Sequence, residues 1–129
     1  LGEMAAALGR SQLRKVHDIL DRRRGNFGAL KSALPGRRVL DGPGSSHYCL
    51  TYEPAGKRSD VLAKLKSGGL GTSIYYPHPV PRLTYYRERY GYDPEKFPGA
   101  ESISDRMISL PVGPHVSGED LPFIKELIQ

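Results

Sequence analysis

Gly71-Thr72-Ser73-Ile74-Tyr75-Tyr76-Pro77-His78-Pro79-Val80-Pro81-Arg82 changes character halfway along. Its first half, Gly71–Tyr76, is rich in β-prone residues and reads as a strand. Its second half has proline at every other position, and each proline lacks the N–H that a strand ladder needs. The chain must leave any sheet near Pro77 and run on as a stiff, extended loop. In such a run Tyr76, His78 and Arg82 point the same way. The first acid after Arg82 is Glu88, so an unpaired guanidinium is expected, free to hold a phosphate or carboxylate. The plainer reading is an aromatic loop stiffened to pack on its own domain.

Upstream, Arg37–Asp41 and Ser46–Glu53 read as strands separated by the turn Asp41-Gly42-Pro43-Gly44. Lys57–Ser67 reads as a helix with Val61, Leu62 and Leu65 on one face, closed by Gly68-Gly69. Downstream, Leu83–Tyr90 and Glu101–Arg106 are short helices, Met107–Leu110 a strand, and Gly118–Gln129 a last helix. Ser117 and Asp120 form a box-like start for that helix. The expected class is α+β: a small mixed or antiparallel sheet covered by helices.

The first 34 residues read as one long helix or a helix pair. Leu13, Leu20, Phe27 and Leu34 fall seven apart, with Val16 and Leu30 three after the first and third. Leu13, Val16, Leu20, Phe27 and Leu30 are therefore expected to be buried against the domain's sheet or a partner, and Arg22 and Arg24 to face solvent. Arg23 interrupts the stripe where another apolar residue belongs. A single helix of this length would span about 50 Å, against a radius of gyration of about 14 Å for a domain of this size. Such a helix needs another surface to lie on.

The chain has 129 residues, 38% apolar and 26% charged, the composition of one globular domain. One cysteine, Cys49, excludes an internal disulfide and points to a reducing, cytoplasmic setting. No run is long and apolar enough to suggest a membrane span. Residues 1–40 carry nine Lys/Arg against three acids, so the formal charge of +5 comes from this segment. A nucleic-acid partner is not expected, because no aromatics interleave the Arg22-Arg23-Arg24 run. His17, His47, His78 and His115 lack the spacing of a helical metal site, and no metal is expected.

Three stretches, in order, resemble the sugar aminotransferase family often named after DegT, DnrJ, EryC1 and StrS. Leu1-Gly2-Glu3-Met4-Ala5-Ala6-Ala7-Leu8-Gly9 with Gln12-Leu13 is similar to the family's M-[ST]-E-L-Q-A-A-L-G…Q-L. Gly71-Thr72-Ser73-Ile74-Tyr75-Tyr76-Pro77 with Tyr85-Tyr86 is similar to G-I-x-T-x-I-Y-Y-P-x-P-L-H…Y. Phe97-Pro98-Gly99-Ala100-Glu101, Ile108-Ser109-Leu110-Pro111 and Glu119-Asp120 are similar to F-P-x-A-E…S-L-P…[ED]-[ED].

The resemblance implies residues 1–129 as a single C-terminal small domain of the aspartate-aminotransferase-like fold. Residues 1–34 would lead in from a missing large domain. It implies a homodimeric enzyme that uses pyridoxal phosphate to move an amino group, usually from glutamate, to a nucleotide-linked keto sugar. The Schiff-base lysine would lie in the large domain, since none of Lys15, Lys31, Lys57, Lys64, Lys66, Lys96 and Lys125 matches it. This chain would therefore supply no catalytic residue and no cofactor ligand. Its candidate substrate-facing residues are Tyr75, Tyr76, His78, Arg82 and His47. Ala5 replaces the family's usual Gln, and Val80-Pro81-Arg82 replaces its Leu-His, which points to a changed sugar pocket. The competing expectation is a stand-alone, non-catalytic ligand-binding or interaction domain. The encoding reading frame discriminates between the two.

Overall fold

The computed structural model describes residues 2–43 and 47–129. The N-terminal segment is a helix pair, α1 (Glu3–Leu13) and α2 (Val16–Lys31), broken at Arg14-Lys15. The break resolves the length problem posed by a single helix, and it divides the apolar stripe unequally. On α2, Phe27 and Leu30 are buried, and Leu34 just beyond joins them. Arg22 and Arg24 are exposed, as expected, whereas Val16 and Leu20 are only half-buried. Leu13 does not pack on the sheet: it is 67% exposed, because the break turns α1 off the core and leaves it no buried residue.

Three short strands follow the chain's β-prone stretches: β1 (Val39–Leu40), β2 (Cys49–Tyr52) and β3 (Ile108–Pro111). They form one antiparallel sheet in the order β1-β2-β3, with Val39 opposite Tyr52 and Thr51 opposite Ser109. β1 is shorter than the Arg37–Asp41 expected, though Glu53 N–H still donates to the Arg38 carbonyl beside it. His47 has φ 47°, so the extended strand starts only after it. Ser46, the expected first residue of that strand, and Leu1 lie outside the described residues.

Alternation then sorts the side chains. Leu50, Tyr52, Ile108 and Leu110 point into a core shared with Phe27 and Leu30 of α2. The same core takes Leu65 of α3 (Arg58–Ser67) and Ile124 of α6 (Asp120–Ile128). On the other face the Thr51 and Ser109 hydroxyls satisfy each other at 2.7 Å.

Helix ends follow local chemistry. Gly69, at φ 79°, closes α3: its N–H donates to Lys66 and the Leu70 N–H to Leu65. That is a Schellman ending, in which only glycine adopts the left-handed residue without strain. Ser117 and Asp120 bond reciprocally, Ser117 N–H and O–H donating to Asp120 Oδ2 at 2.8 and 2.7 Å. The resulting bonds hold the Asp120 carboxyl below its ordinary range.

The expected strand Gly71–Tyr76 does not form. Ser73 alone bridges to Ser109 on the free edge of β3, through two backbone hydrogen bonds of 2.8 and 3.0 Å. Beyond it the chain turns away at the tyrosines. Val80–Arg82 winds into a 3-10 turn leading to α4 (Thr84–Tyr90), and Pro94–Lys96 into another before α5 (Pro98–Arg106). The proline-rich loop is thus coiled rather than extended, and the alternation of an extended run does not order Tyr76, His78 and Arg82.

Candidate functional site

α2 carries Arg23, Asn26, Phe27 and Leu30 on one face, the i, i+3, i+4, i+7 positions of a helical stripe. Phe27 and Leu30 enter the core. Asn26, one turn earlier, donates from Nδ2 to the carbonyls of Val112, Gly113 and Val116 at 3.0–3.3 Å. It therefore ties the loop after β3 to the helix. Arg23 lies beyond, where helix, loop and sheet edge diverge.

They diverge around a cleft of about 350 Å³, walled by Arg23, Tyr48, Ser73, Tyr75, Pro111 and His115. Tyr48 stands edge-on to Tyr75, with ring centroids 6.5 Å apart, and Tyr75 edge-on to Tyr76 at 6.1 Å. The Arg23 guanidinium carbon sits 5.4 Å over the Tyr48 ring, a cation–π contact. The His115 ring lies close against Gly113, where a Cβ would stand 2.7 Å from it. Among the described lining residues there is no carboxylate, so the cleft has a positive bias.

The expected substrate-facing residues divide. Tyr75 lines the cleft, Tyr76 extends its aromatic wall and is 74% exposed, and His78 is exposed on the loop beyond. His47 packs its ring on Phe27, centroids 4.3 Å apart, with Nε2 3.5 Å from Asp41 Oδ1. Asp41 also takes a 2.7 Å bond from Lys31, which with His47 lowers its pKa.

Arg82 is not the free cation expected. Its Nη1 lies 3.0 Å from Glu101 and 3.1 Å from Asp105, and its Nη2 lies 2.6 Å from Asp105 and 3.2 Å from the Pro77 carbonyl. The acids come from α5, far along the chain, so a search near Arg82 in sequence could not find them. Both Nη atoms fasten the loop to α5, while Nε is buried without an acceptor. A second hollow of about 450 Å³, between Val80-Pro81 and Tyr86, Tyr90 and Phe97, is aromatic. Its charged residues Lys96 and Asp93 pair with each other at 3.8 Å.

Sequence reasoning missed Tyr48 and Arg23. Arg23 did carry a signal, as a charge in the apolar stripe. Tyr48 sat unmarked in a strand-like run.

None of the described lining residues is a lysine. Lys15, Lys31, Lys57, Lys64, Lys66 and Lys96 are exposed and Lys125 is half-buried. Among the described residues no helix is long and apolar enough to cross a membrane.

The spore coat polysaccharide biosynthesis protein SpsC of Bacillus subtilis is 32% identical over 98% of this chain and 36% of its own length. The dTDP-4-dehydro-2,3,6-trideoxy-D-glucose 4-aminotransferase of Saccharopolyspora spinosa is 31% identical over 98% of this chain and 34% of its own. Among solved structures, the PLP form of the sugar aminotransferase Spr1654 of Streptococcus pneumoniae superposes with a TM-score of 0.86. It is 25% identical, covering 99% of this chain and 35% of that one. DesI, solved with its TDP-sugar product, gives 0.82 at 27% identity, over 98% and 34%. The chain spans about a third of the length of these relatives. The profile of the DegT/DnrJ/EryC1/StrS aminotransferase family matches residues 1–129 throughout, and the chain belongs to that family.

Proposed function

We propose that this chain is the substrate-side small domain, C-terminal in a longer cytoplasmic, homodimeric aminotransferase. That enzyme transfers an amino group from glutamate to a nucleotide-linked keto sugar. The observation that carries the reading is a family match over the whole chain, joined to a cleft with aromatic walls and no lysine among its described lining residues. Pyridoxal phosphate, held by the large domain, would supply the electron sink that the reaction needs.

This chain's residues shape the pocket. Tyr75, Tyr76 and His78 face the substrate, and the tyrosines exclude water from it. Arg82 and His47 act as positioning residues. Arg82 fixes the proline-rich loop on α5, and His47, beside Tyr48, packs on Phe27. Relatives built around dTDP- and TDP-linked sugars support a nucleotide-linked substrate.

The test uses the complete reading frame, assayed with glutamate and a dTDP-linked keto sugar for 2-oxoglutarate release. Turnover is expected. In parallel, this chain alone is mixed with pyridoxal phosphate and treated with borohydride. No stoichiometric adduct at a single lysine is expected. Turnover by the isolated chain, or a complete enzyme inert toward every nucleotide-linked keto sugar, overturns the proposal.

A further inference from the structure

Arg23 lines the cleft as a half-buried cation that, among the described residues, forms no ion pair. Arg24 pairs with Asp21 at 3.1 Å, Arg38 and Arg106 approach Glu53, and Arg82 holds two acids. Among the described residues, no carboxylate reaches Arg23, and its Nε is buried with no hydrogen-bond acceptor. A buried N–H without an acceptor is costly. It lies on the face of α2 that also carries Phe27 and Leu30, where an apolar side chain would pack without that cost.

Its surroundings hold it in place. Tyr48 lies under the guanidinium at 5.4 Å, and Asn26 fixes the opposite wall by three carbonyl bonds. A planar, always-charged donor held in a cleft with no acid among its described lining residues is built to receive an oxyanion. Tyr75 stands edge-on to Tyr48, so the anion's organic part meets an aromatic wall.

We propose that Arg23 is the oxyanion-binding residue of this cleft, receiving either the phosphate of the nucleotide-linked sugar or the carboxylate of the amino donor. The proposal rests on the small-domain reading above, and it moves the anion anchor from the loop, where sequence placed it at Arg82, to α2.

The test is a titration of the isotopically labelled chain by NMR, following the Arg23 Nε–H signal. One arm adds thymidine diphosphate and the other L-glutamate. The signal is expected to move saturably in at least one arm, and the arm that responds names the source of the anion. Arg23→Gln should weaken that binding about tenfold or more. Arg22→Gln, one residue away but in solvent, should change it less than twofold. An Arg23 signal unmoved by both probes overturns the proposal, as does equal binding by Arg23→Gln. The wild-type signal decides between these outcomes even if the variant fails to fold. The titration contains neither cofactor nor turnover, so it can fail while the amino-transfer assay succeeds, and the reverse.

Discussion

Arg82 and Asp105 meet through two parallel hydrogen bonds, Nη2 to Oδ1 at 2.6 Å and Nη1 to Oδ2 at 3.1 Å. The fork joins the proline-rich loop to α5 across 23 residues of chain. The bond and charge of Arg82 hold the Asp105 carboxyl below its ordinary value of 3.8, although partial burial pulls the other way. Asp105 in turn raises the already high pKa of Arg82.

A carboxyl depressed in the folded state contributes stability that is complete above its unfolded pKa and lost as pH falls through the folded one. Thermal stability should therefore drop on acidification below the ordinary carboxylate value of 3.8, with Asp41 and Asp120 adding to the same slope. Arg82→Ala should return the Asp105 titration midpoint, read from its side-chain carbon shift, toward 3.8. An unchanged midpoint would remove Arg82 as the cause.

Phe27 is 4% exposed between the sheet and the His47 ring. Phe27→Ala should cost about 3–5 kcal/mol in urea unfolding. Leu13, on the same sequence stripe but beyond the helix break, is 67% exposed, and Leu13→Ala should stay within about 0.5 kcal/mol. Equal costs at the two positions would mean that the break does not set burial.

Asn26 bonds three carbonyls of the loop after β3 through one amide nitrogen. Asn26→Ala leaves those partly buried acceptors short and should cost about 1–3 kcal/mol. Asn26→Asp should be at least as harmful, because a carboxylate only accepts where donors are needed. A melting temperature unmoved by either substitution would show that the loop is held from elsewhere.

Gly69 occupies the left-handed position that ends α3, with open space around its Cα. Gly69→Ala should therefore lose about 1 kcal/mol from backbone strain alone. Gly113→Ala tests something different: the added methyl would collide with the His115 ring. It should shift the His115 ring resonances with little effect on α3. If His115 is undisturbed, the ring is not seated as described.

Much of this architecture was legible, because its causes are local. The α2 stripe, the glycine ending of α3, the Ser117–Asp120 start of α6 and β2 within Ser46–Glu53 follow from periodicity and capping chemistry. The strand expected over Gly71–Tyr76 was misread because β-propensity cannot supply a partner, and among the described residues Ser73 is the one that bridges to the edge of β3. Arg82 was misread for a related reason: Glu101 and Asp105 reach it only after the fold has brought α5 beside the loop. Of the cleft, Tyr75 was legible and Tyr48 was not, since nothing local separates a wall tyrosine from a strand tyrosine. Arg23 was visible as a broken pattern.

The absence of any buried residue on α1 has a kinetic consequence. An 11-residue helix is shorter than the roughly 12–15 residues at which helices become even marginally stable in water. Without core contacts, α1 can open while the rest of the molecule stays folded. Amide hydrogens of residues 3–13 should thus exchange with deuterium far sooner than those of Leu50, Ile108 and Leu110, whose release requires the sheet itself to come apart. A surface laid against Met4 and Leu8 would slow that exchange without altering a single bond in the core.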